Sequence, residues 1–157
     1  MANATRATLA LQKAGVAFTL HPHAYDPDAE RKGLQAAEAL GEPPECVLKT
    51  LMVIADGEKV CAVVPSNRSV SMKKLAAAFG AKHAQMMAPA DAERATGYKV
   101  GGISPFGQMR RVRTAIDADA LAQPHVYVNG GQRGLQVRLE PAHLVDALGA
   151  VVAPITT

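Results

Sequence analysis

Apolar residues fall in short blocks along this chain, and their spacing alternates between helical and extended periods. Residues 4–14 set Leu9 and Leu11 among helix-forming Ala, Gln and Lys and stop at Gly15, predicting a first helix. Residues 16–20 alternate as a strand, and the two prolines of His21-Pro22-His23-Ala24-Tyr25-Asp26-Pro27 predict an irregular segment after it. A second helix is expected over residues 34–40, ended by Gly41. The clearest strand is residues 47–54; Asp56-Gly57 supplies a hairpin turn and residues 59–64 return as its partner. Helices follow at 71–79, capped by Ser69 or Ser71, and at 89–95, opened by Pro89, with a short strand at 84–87 between them. Strands at 112–116, 125–128 and 135–139 and a helix at 141–148, ended by Gly149, complete the pattern.

Strands thus come in hairpin-like groups with helices between them, without strict βαβ alternation. This predicts a mixed, mostly antiparallel α/β domain rather than a doubly wound parallel sheet. The 157 residues are enough for one domain with a sizeable core, and no linker, repeat or low-complexity tail divides them. With three Phe, three Tyr and no Trp, that core must be mainly Ala, Val and Leu. No apolar run approaches the ~18 residues of a spanning helix, so no membrane association is expected. Two cysteines, Cys46 and Cys61, make no disulfide framework and suit a reducing, cytoplasmic compartment. A net charge of +3 mildly favours a polyanionic partner without identifying one.

Two features carry candidate chemistry. On an ideal strand Lys49 shares a face with Val47, Leu51 and Val53, where an ammonium needs an anion, water or a lowered pKa; alternatively it snorkels from the strand end to solvent. Gly101-Gly102-Ile103-Ser104-Pro105-Phe106-Gly107 is too rich in Gly and Pro for regular structure. It reads either as a tight turn or as a loop that converges backbone N–H groups on one point. Lys99, Arg110, Arg111, Arg113 and Arg133 flank this loop and the second glycine pair, and could meet phosphate or form a solvated face. His21 and His23 alternate on one side, but no Cys/His spacing completes a metal site, and His83, His125 and His143 are scattered. Nucleotide-binding and nucleophile-elbow fingerprints are absent.

The ordered motifs Val-Leu-Lys-Thr-Leu at 47–51, Lys-Lys-Leu-Ala at 73–76, Thr-Gly-Tyr-Lys-Val-Gly-Gly-Ile-Ser-Pro-Phe-Gly at 96–107 and Gly-Gly-Gln-Arg-Gly-Leu-Gln at 130–136 resemble the YbaK family. These are free-standing aminoacyl-tRNA deacylases related to the editing domain inserted in bacterial prolyl-tRNA synthetases, and the match is closest to their Cys-tRNA(Pro) branch. The resemblance implies a single α/β domain around a mixed, barrel-like sheet with surrounding helices, and a cleft using no metal or cofactor. It implies that the partner is the 3′ end of an aminoacylated tRNA, with prolyl-tRNA synthetase as a possible second partner. Lys49 would meet the terminal phosphate or the ester region, flanked by Thr50. Gly101, Gly102 and Ile103 would hold the aminoacyl carbonyl, with Ser104 and Pro105 shaping the pocket. His23, Asn129, Gly130, Gly131, Arg133 and Gln136 would line or support it. His23 stands where relatives often carry Tyr, Gln136 where some carry Asp, and Asn129 where Ser is common. Another small amino acid, Ala or Ser, or a non-catalytic module binding tRNA ends or a synthetase, are the alternatives.

Overall fold

The computed structural model describes residues 4–28 and 32–157. Its centre is the hairpin of β2 (Leu48–Ala55) and β3 (Glu58–Pro65), paired from Leu48↔Pro65 to Ala55↔Glu58. Asp56 and Gly57 turn the chain with positive φ at both positions, 48° and 83°, the handedness that matches strand twist. The Asp56 carboxylate also accepts the N–H groups of Lys82 (2.8 Å) and His83 (3.0 Å), tying the hairpin tip to the chain entering β4 (Ala84–Met86).

Residues Val60 to Val64 are fully buried because β3 is covered on both faces, which is why they form an unbroken apolar run. Cys61 and Val63 pack with Ile116, Val126, Val128, Val137 and Leu144. Val60, Ala62 and Val64 pack with Leu75 of α3 (Met72–Ala78), Phe79 and Ile155. The core is mainly aliphatic, with Phe79, Tyr98, Phe106 and Tyr127 as its buried aromatics.

β3 pairs in parallel with β5 (Arg113–Asp117), and β5 in parallel with β8 (Val151–Ala153), giving a five-stranded sheet of order β4-β2-β3-β5-β8. A three-stranded antiparallel sheet follows the order β1-β7-β6, from β1 (Thr19–Pro22), β6 (Val126–Asn129) and β7 (Leu135–Leu139). Among the described residues, one parallel bridge, Val47↔Tyr127, links the two sheets. The architecture is therefore the expected mixed, mostly antiparallel α/β, but its strands form two linked sheets rather than a closed barrel.

Helices α1 (Arg6–Lys13), α2 (Lys32–Leu40), α4 (Pro89–Thr96) and α5 (Pro141–Leu148) complete the fold, with 3₁₀ turns at Pro44–Cys46 and Ala118–Ala122. Three differences from the sequence reading have physical causes. The first strand begins later and runs through His21 and Pro22, because β1 pairs only with β7 and an edge strand tolerates proline. β8 gives no sequence signal: it is three residues long and exists through its distant pairing with β5. The segment leading into the 47–54 strand folds into a 3₁₀ turn at Pro44–Cys46 before β2 starts.

Thr5 caps α1 reciprocally with Thr8, and its hydroxyl also donates to the Gly130 carbonyl. One N-cap thus holds the second glycine segment in place. Thr5→Ala is expected to lower stability by about 1–2 kcal/mol, seen as a fall of several degrees in the thermal midpoint.

Candidate functional site

Along one edge β2 is paired continuously with β3. Its other edge is shared: Val53–Ala55 pair with β4 while Val47 bridges to β6. The stretch between these partners is left open. Met52 C=O accepts Met87 N–H (3.0 Å) on this open edge, and backbone direction repeats every second residue, so Thr50 turns its N–H and C=O the same way. The gap opens into a cavity of about 300 Å³ lined by Lys49, Thr50, Gly101, Ile103, Asn129 and Gln136, with Tyr25 and a methionine cluster of Met52, Met86 and Met87. An apolar wall with a few convergent polar groups is the composition of a small-molecule site.

The Lys49 ammonium makes no ion pair or hydrogen bond among the described residues, and burial lowers its pKa from the ordinary 10.5. The ammonium is held half-buried at the cavity wall rather than paired within the fold. Beside it, three buried polar atoms lack partners among the described residues: Tyr25 Oη, Thr50 Oγ1 and Gln136 Oε1. All three belong to residues lining this cavity. An orphaned buried polar group costs about 1–3 kcal/mol, and their convergence on one space marks where a polar ligand would be received.

The glycine loop forms the opposite wall. After α4 ends at Gly97 in the left-handed conformation, Glu93 accepts the Val100 N–H (2.9 Å) and Gly102 N–H closes a turn onto Lys99 C=O (2.7 Å). Gly101 has φ +90°, and a Cβ there would sit 2.4 Å from Tyr25 Oη. A Cβ on Gly102 would meet the backbone N of Arg133 at 2.9 Å, so the two glycine segments pack backbone to backbone. Asn129 clamps them, donating from Nδ2 to Gly101 C=O (3.1 Å) and accepting Gly131 N–H at Oδ1 (2.7 Å). Arg133 donates from Nε to Val100 C=O (2.9 Å) and lays its guanidinium over the Tyr25 ring at 5.3 Å. The N–H groups of Gly101 and Ile103 remain without partners among the described residues, and both residues line the cavity.

The sequence-selected residues thus separate by position. Lys49, Thr50, Gly101, Ile103, Asn129 and Gln136 meet at the cavity. Gly102 lies behind it, and its N–H is committed to Lys99, which removes it from the pair of free donors. Ser104 is fully buried with Oγ accepting Phe106 N–H (3.1 Å), and Pro105 faces a separate cavity of about 220 Å³. These two shape the loop from outside the pocket, because the chain turns inward after Ile103. Gly130 donates to Leu135 C=O (2.8 Å), and Gly130, Gly131 and Arg133 brace the loop from outside the lining.

His23 also lies outside the lining. Its Nδ1 meets Ala24 C=O at 2.7 Å and its Nε2 lies 3.4 Å from Gln136 Nε2. Tyr25, two residues on and missed by sequence reasoning, occupies the cavity instead. The alternation of an extended segment puts residues 23 and 25 on the same side, so the signal was present. The adjacent Met86 and Met87, adaptable apolar fillers, were another overlooked cue.

Two substitutions separate groups awaiting a ligand from groups supporting the fold. Thr50→Val removes an unpartnered hydroxyl and should leave the unliganded protein as stable or more stable, by about 1 kcal/mol, in a denaturant melt. Lys49→Met should raise stability at neutral pH, because the unfolded chain holds the Lys49 proton more tightly than the folded one. That penalty is fully present below the lowered folded pKa and is relieved as pH rises toward 10.5. The stability gap between Lys49→Met and the parent should therefore narrow in alkaline melts.

A family model described as the aminoacyl-tRNA editing domain matches residues 29–147. A protein of Enterococcus faecalis, EbsC, named as a candidate Cys-tRNA(Pro)/Cys-tRNA(Cys) deacylase, is 35% identical over 122 residues, 77% of this chain and 74% of that one. Proline–tRNA ligase of Nitratidesulfovibrio vulgaris is 38% identical over 68 residues, 43% of this chain but 12% of the ligase. Among solved structures, a candidate trans-editing enzyme for prolyl tRNA synthetase superposes with a TM-score of 0.84 at 23% identity, covering 100% of this chain and 98% of that one. Hypothetical protein APE2540 superposes with a TM-score of 0.86 at 25% identity, covering 98% and 100%. With the editing-domain model spanning most of its length and its motifs gathered at one cavity, the chain belongs to the aminoacyl-tRNA editing domain family, of the YbaK type.

Proposed function

We propose that the protein is a trans-editing deacylase that cleaves the ester between a small amino acid and the 3′ end of a mischarged tRNA, with Cys-tRNA(Pro) as its principal substrate. The observation that carries this reading is the convergence of Lys49, three unpartnered buried polar atoms and two free loop N–H groups on one cavity. The identity with a protein named for Cys-tRNA(Pro)/Cys-tRNA(Cys) deacylation supports the choice of amino acid and tRNA.

Catalysis in this scheme rests on positioning and electrostatics. The Gly101 and Ile103 N–H groups donate to the carbonyl oxygen as negative charge develops on it. Lys49 holds the terminal phosphate or ribose from β2, and Thr50, Tyr25 and Gln136 orient the aminoacyl group. The methionine cluster receives a small, polarizable side chain such as cysteine's. The substrate supplies its own nucleophile: the cysteine sulfur attacks the ester carbonyl carbon, the bond to the ribose oxygen breaks, and the thiol proton passes to that oxygen. The products are a cyclic thioester and free tRNA. If a water molecule attacks instead, free cysteine is released, and product analysis distinguishes the two.

The test is a panel of Cys-, Ala-, Ser- and Pro-charged tRNAs incubated with purified protein while loss of the aminoacyl bond is followed. Cys-tRNA(Pro) should be deacylated fastest, and Lys49→Ala should slow it about a hundredfold, the scale of losing one transition-state electrostatic contact. Equal rates for Lys49→Ala and wild type would remove Lys49 from the mechanism. Protection of the ester without cleavage would identify a binding module that holds tRNA ends or a synthetase.

A further inference from the structure

The sequence shows no metal-ligand spacing, yet the fold assembles three donors from distant positions. Glu42 sits in the turn after α2, Cys46 ends the 3₁₀ turn that leads into β2, and His125 directly precedes β6. Their ligand atoms, a carboxylate oxygen, a thiol sulfur and an imidazole nitrogen, all lie within 4.8 Å of one another. None of the three lines the proposed substrate cavity.

We propose that Glu42, Cys46 and His125 bind one thiophilic divalent cation of the zinc class at the junction of the two sheets. The mixed O, S and N set is one that zinc accepts and that calcium or magnesium, which prefer oxygen alone, does not. Tetrahedral coordination with bonds of about 2.1 Å separates ligand atoms by about 3.4 Å. In the present trio the Glu42–His125 contact of 2.6 Å would open, and atoms now up to 4.8 Å apart would close, toward that spacing. Cys46 is 3% exposed and forms the floor, while the Glu42 and His125 side chains keep 23% and 24% of their surface, leaving an open side for water as fourth ligand.

The surroundings are those of a held site. The Tyr127 ring stands edge-on to His125 at 5.6 Å and packs with Cys46 in one buried cluster, so two of the ligands are flanked by one residue. Without a cation the Glu42 carboxylate meets His125 Nε2 at 2.6 Å, and Cys46 Sγ–H donates to Pro43 C=O at 3.2 Å. Binding replaces the first contact with two metal bonds, leaves the imidazole proton on Nδ1 instead of Nε2, and releases the thiol proton to solvent as the sulfur becomes a thiolate ligand.

The position gives the cation a structural task. Cys46 precedes Val47 and His125 lies two residues before Tyr127, so the ion would clasp the two parallel segments together just upstream of the bridge that links the sheets. Beyond that bridge β2 carries Lys49 and β6 carries Asn129, so the clasp would set the width of the cavity between them.

The test uses the full chain, freed of metal by chelation and titrated with Co²⁺ as a spectroscopic probe and with Zn²⁺ by calorimetry. One equivalent of Co²⁺ should produce a thiolate-to-cobalt charge-transfer absorption that Zn²⁺ abolishes, and Zn²⁺ should raise the thermal midpoint reversibly toward chelator. Loss of an outer partner alone weakens metal sites about 10–100-fold, so Cys46→Ser and His125→Gln should each weaken Zn²⁺ by about tenfold or more. Cys46→Ser should also remove the absorption, whereas Cys61→Ser should leave both readouts unchanged. Should either ligand variant fail to fold, Glu42→Gln provides the same comparison from a partly exposed position. Absence of a saturable one-equivalent absorption, or its survival in Cys46→Ser, overturns the proposal.

Discussion

Everything in this protein depends on how β2 shares its second edge. One edge is closed along its length by β3, and the resulting hairpin is the centre of the two larger apolar clusters. On the other, β4 takes the end and β6 touches the beginning, and the interval between them stays unpaired. Backbone groups at an open interval need water or a ligand. A single structural choice therefore creates the cavity, delivers Lys49 and Thr50 to it, and leaves peptide groups available there.

The opposite wall is held by hydrogen bonds between two loops rather than by regular structure. Asn129 receives Gly131 and grips Gly101; Arg133 grips Val100; and Thr5 reaches from the cap of α1 to Gly130. Glycine is needed where these backbones meet, since a Cβ on Gly101 would strike Tyr25 and one on Gly102 would strike the Arg133 backbone. This network fixes the loop while leaving the Gly101 and Ile103 N–H groups unspent. The fold thus tolerates several uncompensated polar groups in one place, as functional sites do.

Much of the architecture was legible in the sequence because it is local. The Asp-Gly turn, the apolar run of β3 and the Ser71, Gly97 and Gly149 helix boundaries each act through their own few residues. The site was legible in part: Lys49 stood out as a cation on an apolar strand face, and the glycine loop as a segment unable to form regular structure. His23 and Tyr25 show what this reasoning left open: His23 stands outside the lining with Nε2 3.4 Å from Gln136, and Tyr25 lines the cavity directly. Both lie on one side of an extended segment, and only the course of the chain after Pro22 decides which reaches the cavity. The family motifs likewise marked Ser104 and Pro105 without showing that the chain turns away from the pocket after Ile103.

By itself, then, the sequence determined the order of the elements up to α5, a mainly aliphatic core, the mixed α/β class and the motifs that place the chain in the editing-domain family. These follow from local propensity, hydrophobic period and residue identity. The tertiary structure alone decided that the strands form two sheets joined at Val47 and Tyr127, and that β8 exists. It also decided that Gly102 spends its N–H on a turn, and that Glu42, Cys46 and His125 become neighbours. The reason is common to all of these. Each depends on contacts between residues far apart in the chain, and pairing at such distances is set by packing and hydrogen-bond direction, which no local pattern encodes.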